Sequence, residues 1–360
     1  MMFLSYSAAA DCDTPQDPEA AIIDCTQSIN SGKWKGRYLA AFYSNRAAAY
    51  HDKGDLDRAV ADLNEAIRLD PKLAMAFNNR GAAYNEQGDN DRAIADYNEA
   101  IRIDPKLAMA FTNRGNAYHD KGDNDRAIAD YNEAIRLNPK SGMAFHNRAV
   151  AYLEKDELDR AIADYSEAIR IDPEDASAFN GRGAAYRAKG DFDRASADHN
   201  VAIRLNPKSS VAYFARGRSY LFAGSIEKAL ADFNQASAQA PENAYLALWV
   251  DFVSRRNKLP SRLAQTSSRI DMTVWPAPVV RLFMDQMTPA AVLAAADDPD
   301  VAKKKGQVCE ANFYSGELSL TKGLKDEATR LFRLAASDCP HGFNEWDAAN
   351  AELKALGVVP

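Results

Sequence analysis

Prolines stand at Pro71, Pro105, Pro139, Pro173, Pro207 and Pro241, each 34 residues after the last. Between them the stretch DRAIADYNEAIR starts at Asp91 and again at Asp125, with near-copies from Asp57 and Asp159. A strict period of this length restricts the fold more than composition does. One supersecondary unit that cannot bury its apolar face alone has been copied, and each copy covers its neighbour. The 360 residues, 46% apolar, are therefore read as an array growing in one dimension, not as two or three closed globules.

Counted from 31 residues before each proline, the repeats run 40–73, 74–107, 108–141, 142–175, 176–209 and 210–243. Each holds two apolar periodicities of helical type. They are split by Gly54, Gly88, Gly122, Gly190 or Gly224, with Asp156 in that place in the fourth repeat. The second helix ends where the proline forbids continuation. In the first helix an aromatic stands at position 4 (Tyr43, Phe77, Phe111, Phe145, Phe179, Tyr213) and a small residue at position 8 (Ala47, Gly81, Gly115, Ala149, Gly183, Gly217). A tyrosine follows at position 11, from Tyr50 to Tyr220, and alanines hold positions 20 and 27 of the second helix. The small residue lets the paired helix come close while the aromatics fill the space around it.

Period, helix–turn–helix unit and small/aromatic code together resemble the tetratricopeptide repeat (TPR). The resemblance implies an all-α fold: a right-handed TPR superhelix, or α-solenoid, of antiparallel helical hairpins with an irregular helical C-terminal module. The expected organisation is a signal-peptide remnant or arm at 1–10, a degenerate N-terminal repeat at 11–39 and six full repeats at 40–243. An irregular helical module follows at 244–308, then a final TPR-like hairpin at 309–342 and a capping helix and tail at 343–360. The degenerate repeat rests on AIIDCTQSI from Ala21, which lines up with AVADLNEAI from Ala59. The final hairpin rests on Gly316, Gly323, Ala328, Phe332, Ala335 and Pro340, which fit the same ruler. The capping helix is expected to turn a polar face outward, as solenoid ends need.

Position 7 is arginine in every full repeat (Arg46, Arg80, Arg114, Arg148, Arg182, Arg216), and position 23 is aspartate (Asp62, Asp96, Asp130, Asp164, Asp198, Asp232). Position 7 shares a stripe with the packed positions 4, 8 and 11, so the arginines point inward. A buried cation needs a partner, and the expected one is the aspartate, in a bidentate pair. The competing use of these arginines is to read a bound anion.

The other stripe of the first helix lines, in TPR arrays, the concave groove that holds extended peptides. The candidate groove residues are Asn45, Asn78, Asn79, Thr112, Asn113, Asn116, His146, Asn147 and Asn180, with Met75, Met109 and Met143 at position 2. An amide both donates and accepts, so a ladder of them suits a peptide backbone, and methionine adapts to varied apolar groups. Asparagine at position 6 is also simply common in such repeats. The lysines by which TPR co-chaperones hold a terminal carboxylate are missing from position 5.

A net charge of −7 without a basic run argues against nucleic acid, and no apolar stretch is long enough to insert in a membrane. His51, His119 and His146 lack the carboxylate or cysteine cluster of a metal site. No phosphate loop, GxSxG or His–carboxylate spacing appears, so neither catalysis nor a cofactor is expected. Four cysteines allow three pairings; the layout favours Cys12 with Cys25 and Cys309 with Cys339. Cys309 and Cys339 fall at positions 1 and 31 of the final hairpin, which antiparallel helices bring to one end. With Ala8-Ala9-Ala10 resembling a signal cleavage site, this points to a periplasmic or secreted chain, the alternative being a cytoplasmic one. AYLALWVDFVSRRN, the VWPAPVV segment and CEANFYSGE resemble, in that order, the C-terminal module of bacterial envelope TPR proteins. Some of these are lipoproteins that scaffold cell-wall hydrolases. The resemblance implies a non-enzymatic periplasmic adaptor that binds a protein or peptide segment. The alternative is a structural protein that assembles with itself, for instance as a homodimer.

Overall fold

The computed structural model describes residues 17–340 and 343–358. Cys12 and the stretch read as a signal remnant lie outside the described residues. Everything described is helix or connection, with no strand, and the chain divides into two compact units, 1–172 and 173–360.

Unit 1 contains α1 (Pro18–Asn30), α2 (Gly36–Asp52), α3 (Leu56–Leu69), α4 (Ala74–Glu86), α5 (Asn90–Ile103), α6 (Ala108–Asp120), α7 (Asn124–Leu137), α8 (Gly142–Glu154) and α9 (Leu158–Ile171). From α2 onward they pack as hairpins, α2 with α3 through α8 with α9, and α3, α5 and α7 also pack on the first helix that follows each. The cause is local. Gly54, Gly88 and Gly122 turn the chain at φ of +75° to +80°, which glycine adopts without steric cost. Asp55, Asp89 and Asp123 then cap the second helices, accepting from the backbone N–H of Arg58, Arg92 and Arg126 at 3.0–3.1 Å. In the fourth repeat Asp156 takes the left-handed conformation itself, at φ +59°.

Inside a hairpin the position 8 residue lies beneath the side chain at position 24. A Cβ added to Gly115 would stand 2.6 Å from Tyr131 Cε1, and one on Gly81 2.8 Å from Tyr97 Cε1. Those rings are fully buried, so a glycine is what lets a ring lie flat on the partner backbone.

Unit 2 begins in the same manner with α10 (Ala176–Ala188), α11 (Phe192–Leu205), α12 (Ser210–Phe222) and α13 (Ile226–Gln239). It continues with α14 (Ala244–Arg256), the short α15 (Leu263–Thr266), α16 (Ala277–Phe283) and α17 (Pro289–Ala295), then α18 (Val301–Thr321), α19 (Lys325–Asp338) and α20 (Asn344–Ala355). Asp300 caps α18, accepting from the N–H of Ala302 and Lys303, so this helix starts well before Cys309. The core is aromatic: Trp249 packs on Phe252 at 4.9 Å and on Phe214 at 5.1 Å, and Phe313 lies 5.0 Å from Tyr314. Cys309 and Cys339 form a disulfide that joins α18 to the end of α19, Cα to Cα 4.9 Å. Cys25 is buried on α1.

The acidic face of α20 does not meet solvent as expected of a capping helix. Glu345 and Glu352 are buried, and Asp347 is turned inward. The reason is charge: Arg218 is buried and Arg256 half-buried among neighbouring helices, and both need carboxylates, which α20 supplies.

Candidate functional site

The position 7 arginines and position 23 aspartates meet in every full repeat. Arg46, Arg80, Arg114, Arg148, Arg182 and Arg216 each donate from Nε and Nη2 to the two oxygens of Asp62, Asp96, Asp130, Asp164, Asp198 and Asp232 respectively. All twelve bonds measure 2.6–2.8 Å. The hydrogen bond to Asp130 holds the Arg114 guanidinium above its usual basicity, against the opposing effect of burial. The remaining nitrogen has a use that the sequence reading missed. Nη1 of Arg80, Arg114, Arg148 and Arg216 donates to Asn64, Asn98, Asn132 and Asn200 on the preceding second helix, at 2.5–2.6 Å. Arg46 does the same to Thr26 of α1 at 2.9 Å. One arginine thus staples three helices, and the recurring asparagine at position 25 was the signal for it.

The candidate groove residues divide by burial. Asn45, Asn78, Asn79, Thr112 and Asn113 are buried, Asn78 and Asn79 completely; Asn116, His146, Asn147 and Asn180 are half-buried. Much of the amide ladder is bonded to itself. Asn113 Nδ2 donates to Asn78 Oδ1 at 3.1 Å, Asn78 Nδ2 to Asn79 Oδ1 at 3.2 Å, and Asn147 Nδ2 to Asn116 Oδ1 at 2.8 Å. Asn116 also accepts from Tyr131 Oη at 2.9 Å. The His146 ring meets Tyr165 edge-on at 5.4 Å. These bonds join successive first helices (α4 to α6, α6 to α8), so the deeper amides cement the stack. Above them Met75 and Met109 are half-buried, while Met143 is 46% exposed.

A second ladder runs along the same helices. His51 Nε2 meets Glu86 at 2.8 Å, Asn85 Nδ2 donates to Asp120 at 2.9 Å, and His119 Nε2 meets Glu154 at 3.1 Å. The bond to Glu154 raises the His119 pKa above the ordinary histidine value. No group of three or more metal-ligating side chains occurs among the described residues.

Unit 2 contains a cavity of about 570 Å³ that the periodic reading did not find. Its walls come from α10 and α12 on one side and from α14, α18 and the start of α20 on the other. At one end Arg187 and Arg218 share Asp347, at 2.9 and 3.1 Å, and Arg218 also donates to Asn344. Burial and the neighbouring Arg187 push the Arg218 pKa down to about 9. The cavity is also lined by Glu310 and Glu345, 7% and 5% exposed. Tyr245 Oη and Trp275 Nε1 both donate to Glu310 Oε2, at 2.9 and 2.6 Å, and Tyr314 Oη donates to Glu345 Oε1 at 3.0 Å. Burial, with Glu345 nearby, raises Glu310 to about 7. The sequence did carry a hint, because Arg187 and Arg218 occupy positions that hold smaller or uncharged side chains in other repeats, such as Asn85 and Ala82.

Family models described as TPR repeat or tetratricopeptide repeat match residues 47–88 and 82–122, 112–176 and 159–210, and 210–243. Together they span 47–243, more than half of the chain. Among solved structures, a tetratricopeptide repeat protein from Parabacteroides merdae is 21% identical with a TM-score of 0.51, covering 66% of this chain and 92% of its own. PilW, a type IV pilus biogenesis factor, is 18% identical with a TM-score of 0.55, covering 58% of this chain and 96% of its own. The Cut9–Hcn1 assembly of the APC/C is 17% identical with a TM-score of 0.54, covering 68% of this chain and 50% of its own. At these identities the likeness is one of fold.

Proposed function

We propose that this chain, which belongs to the tetratricopeptide repeat family, is a non-enzymatic scaffold that holds a segment of another protein on the first-helix face of unit 1. Repeats of this kind are interaction modules, and a protein-binding role follows from the family. The observation that carries the finer reading is the bonding of α4 to α6 and α6 to α8 through asparagine side chains. It makes one continuous face out of separate helices, with several of its deep amides bonded to one another and Met143, His146 and Asn147 accessible along it. A bound segment would meet adaptable apolar and amide groups at little desolvation cost. The disulfide between Cys309 and Cys339 is compatible with an oxidising compartment and supports reading the site of action as outside the cytoplasm. The resemblance of the C-terminal module to envelope adaptors supports the same reading.

Site-specific photocrosslinking tests this. A photoreactive side chain at position 143 should capture a partner in periplasmic extract, whereas one at Ala95, exposed on α5, should not. Capture from position 95 alone would move recognition to the opposite face.

A further inference from the structure

Glu310 and Glu345 have no cation bonded to them. Neither takes part in an ion pair among the described residues, and their hydrogen-bond donors are the neutral groups Tyr245, Trp275 and Tyr314. Both donors to Glu310 fall on Oε2, so its Oε1 accepts no hydrogen bond among the described residues, although the residue is more than nine-tenths buried and lines the cavity. Arg218 acts on Glu345 from nearby, but Glu310 has no ion-pair partner among the described residues, and a buried carboxylate without one is costly unless something supplies it. Elsewhere in unit 2 such charges have bonded partners: Arg256 meets Glu317 and Glu352, and Arg187 and Arg218 share Asp347, so Arg187, Arg218, Asp347, Glu310 and Glu345 together leave one carboxylate in excess. The cavity is within the roughly 300–1,000 Å³ of small-ligand sites. The rings of Tyr245 and Phe343 form part of its wall, and such faces favour cations.

We infer that the unit 2 cavity is a binding site for an organic cation, an ammonium or guanidinium group seated against Glu310 and Glu345 and repelled from Arg187 and Arg218. A basic side chain of a bound protein is the source chosen here, and that choice alone rests on the scaffold reading above. A free polyamine has the same chemistry. Titration adds a signature. The charged groups around Glu310 are Glu345 and Asp347 from α20, Arg187 from α10 and Arg218 from α12, with the phenols of Tyr245 and Tyr314 adjoining. Glu310 is raised to about 7 in the empty protein. Only its ionised form attracts a cation, so affinity falls as pH drops from 8 to 6.

The indole N–H of Trp275, bonded directly to Glu310, reports occupancy by NMR. The full chain is titrated with a capped pentapeptide carrying one central arginine, with its central-glutamate counterpart, and with spermidine. The arginine peptide should shift the Trp275 resonance saturably, and the glutamate peptide should not. Glu310→Gln, which keeps an acceptor for Tyr245 and Trp275, should weaken that binding at least tenfold and reduce its pH dependence. Glu345→Gln serves as the second variant if the first does not fold. Saturation by spermidine but not by the peptide would keep the cation site and overturn the protein source. Binding of the glutamate peptide, unchanged affinity in the Gln variants, or no response to either cation would overturn the site. Photocrosslinking at position 143 reads the scaffold function separately, so the two can fail independently.

Discussion

Unit 1 and the stretch α14–α20 of unit 2 both bury arginine, by different means. In unit 1 each arginine bonds an aspartate 16 residues on, within its own hairpin, and the arrangement recurs unchanged. In α14–α20 Arg256 reaches Glu317 and Glu352, 61 and 96 residues away, and nothing repeats. The first kind of pair follows from the geometry of one hairpin. The second exists only after several helices have been brought together, so it locks a tertiary arrangement that no shorter segment could hold.

The largest expected effect separates these cases. Arg256→Ala leaves Glu317, whose side chain is 1% exposed, without its cation; a loss of about 5 kcal/mol is expected, at the upper end for broken buried pairs. Asp130→Ala should cost less, about 3 kcal/mol, because the Arg114 side chain is 19% exposed and keeps Asn98. Urea denaturation of the two variants measures both. A greater loss for Asp130→Ala would reverse the comparison.

Two histidines give the units opposite responses to acid. His119 in unit 1 is raised by its bond to Glu154, so its contribution is fully present below about 6.5 and is lost as pH rises through the elevated value. His199 in unit 2 is buried where other repeats carry Tyr131 or Phe233, and neither ring nitrogen has a hydrogen-bond partner among the described residues. Burial lowers its pKa from 6.5 to about 3. The unfolded chain takes up a proton there before the fold does. Stability is therefore retained above 6.5 and lost as pH falls toward 3, by about 1.4 kcal/mol per unit. His199→Phe should remove that loss and add about 1–2 kcal/mol at pH 7, since Phe233 already lies over Gly217 as His199 lies over Gly183. Melting curves from pH 4 to 8 check it, and an unchanged acid slope would reject the assignment. The smallest effect concerns regularity within unit 1. Asp156→Gly, restoring the residue that suits φ +59°, should gain about 1 kcal/mol in the same melting assay.

Legibility follows the same division. The hairpins could be read because proline, glycine and small-residue positions act within a few residues of themselves. The contact of Arg114 with Asp130 could be read because both lie in one hairpin. Helical spacing put the candidate groove residues on one face but did not give their burial, since spacing shows which face Asn78 shares and not how closely the next helix covers it. Asn98 as a partner of Arg114 was overlooked although it recurs at its position. The cavity itself was out of reach: Arg218 stood out only as an atypical residue at its repeat position, and Glu310 and Glu345 follow no period.

The sequence by itself determined the unit, its turns and its internal ion pairs, because those interactions close over short stretches and are written out six times. Only the tertiary structure decided that the acidic face of α20 turns inward, that Asn78 and Asn79 are cement, and that Glu310 and Glu345 share a cavity. Buried charge is settled by what lies within a few ångströms in space, and residues tens of positions apart leave no spacing from which that distance can be read.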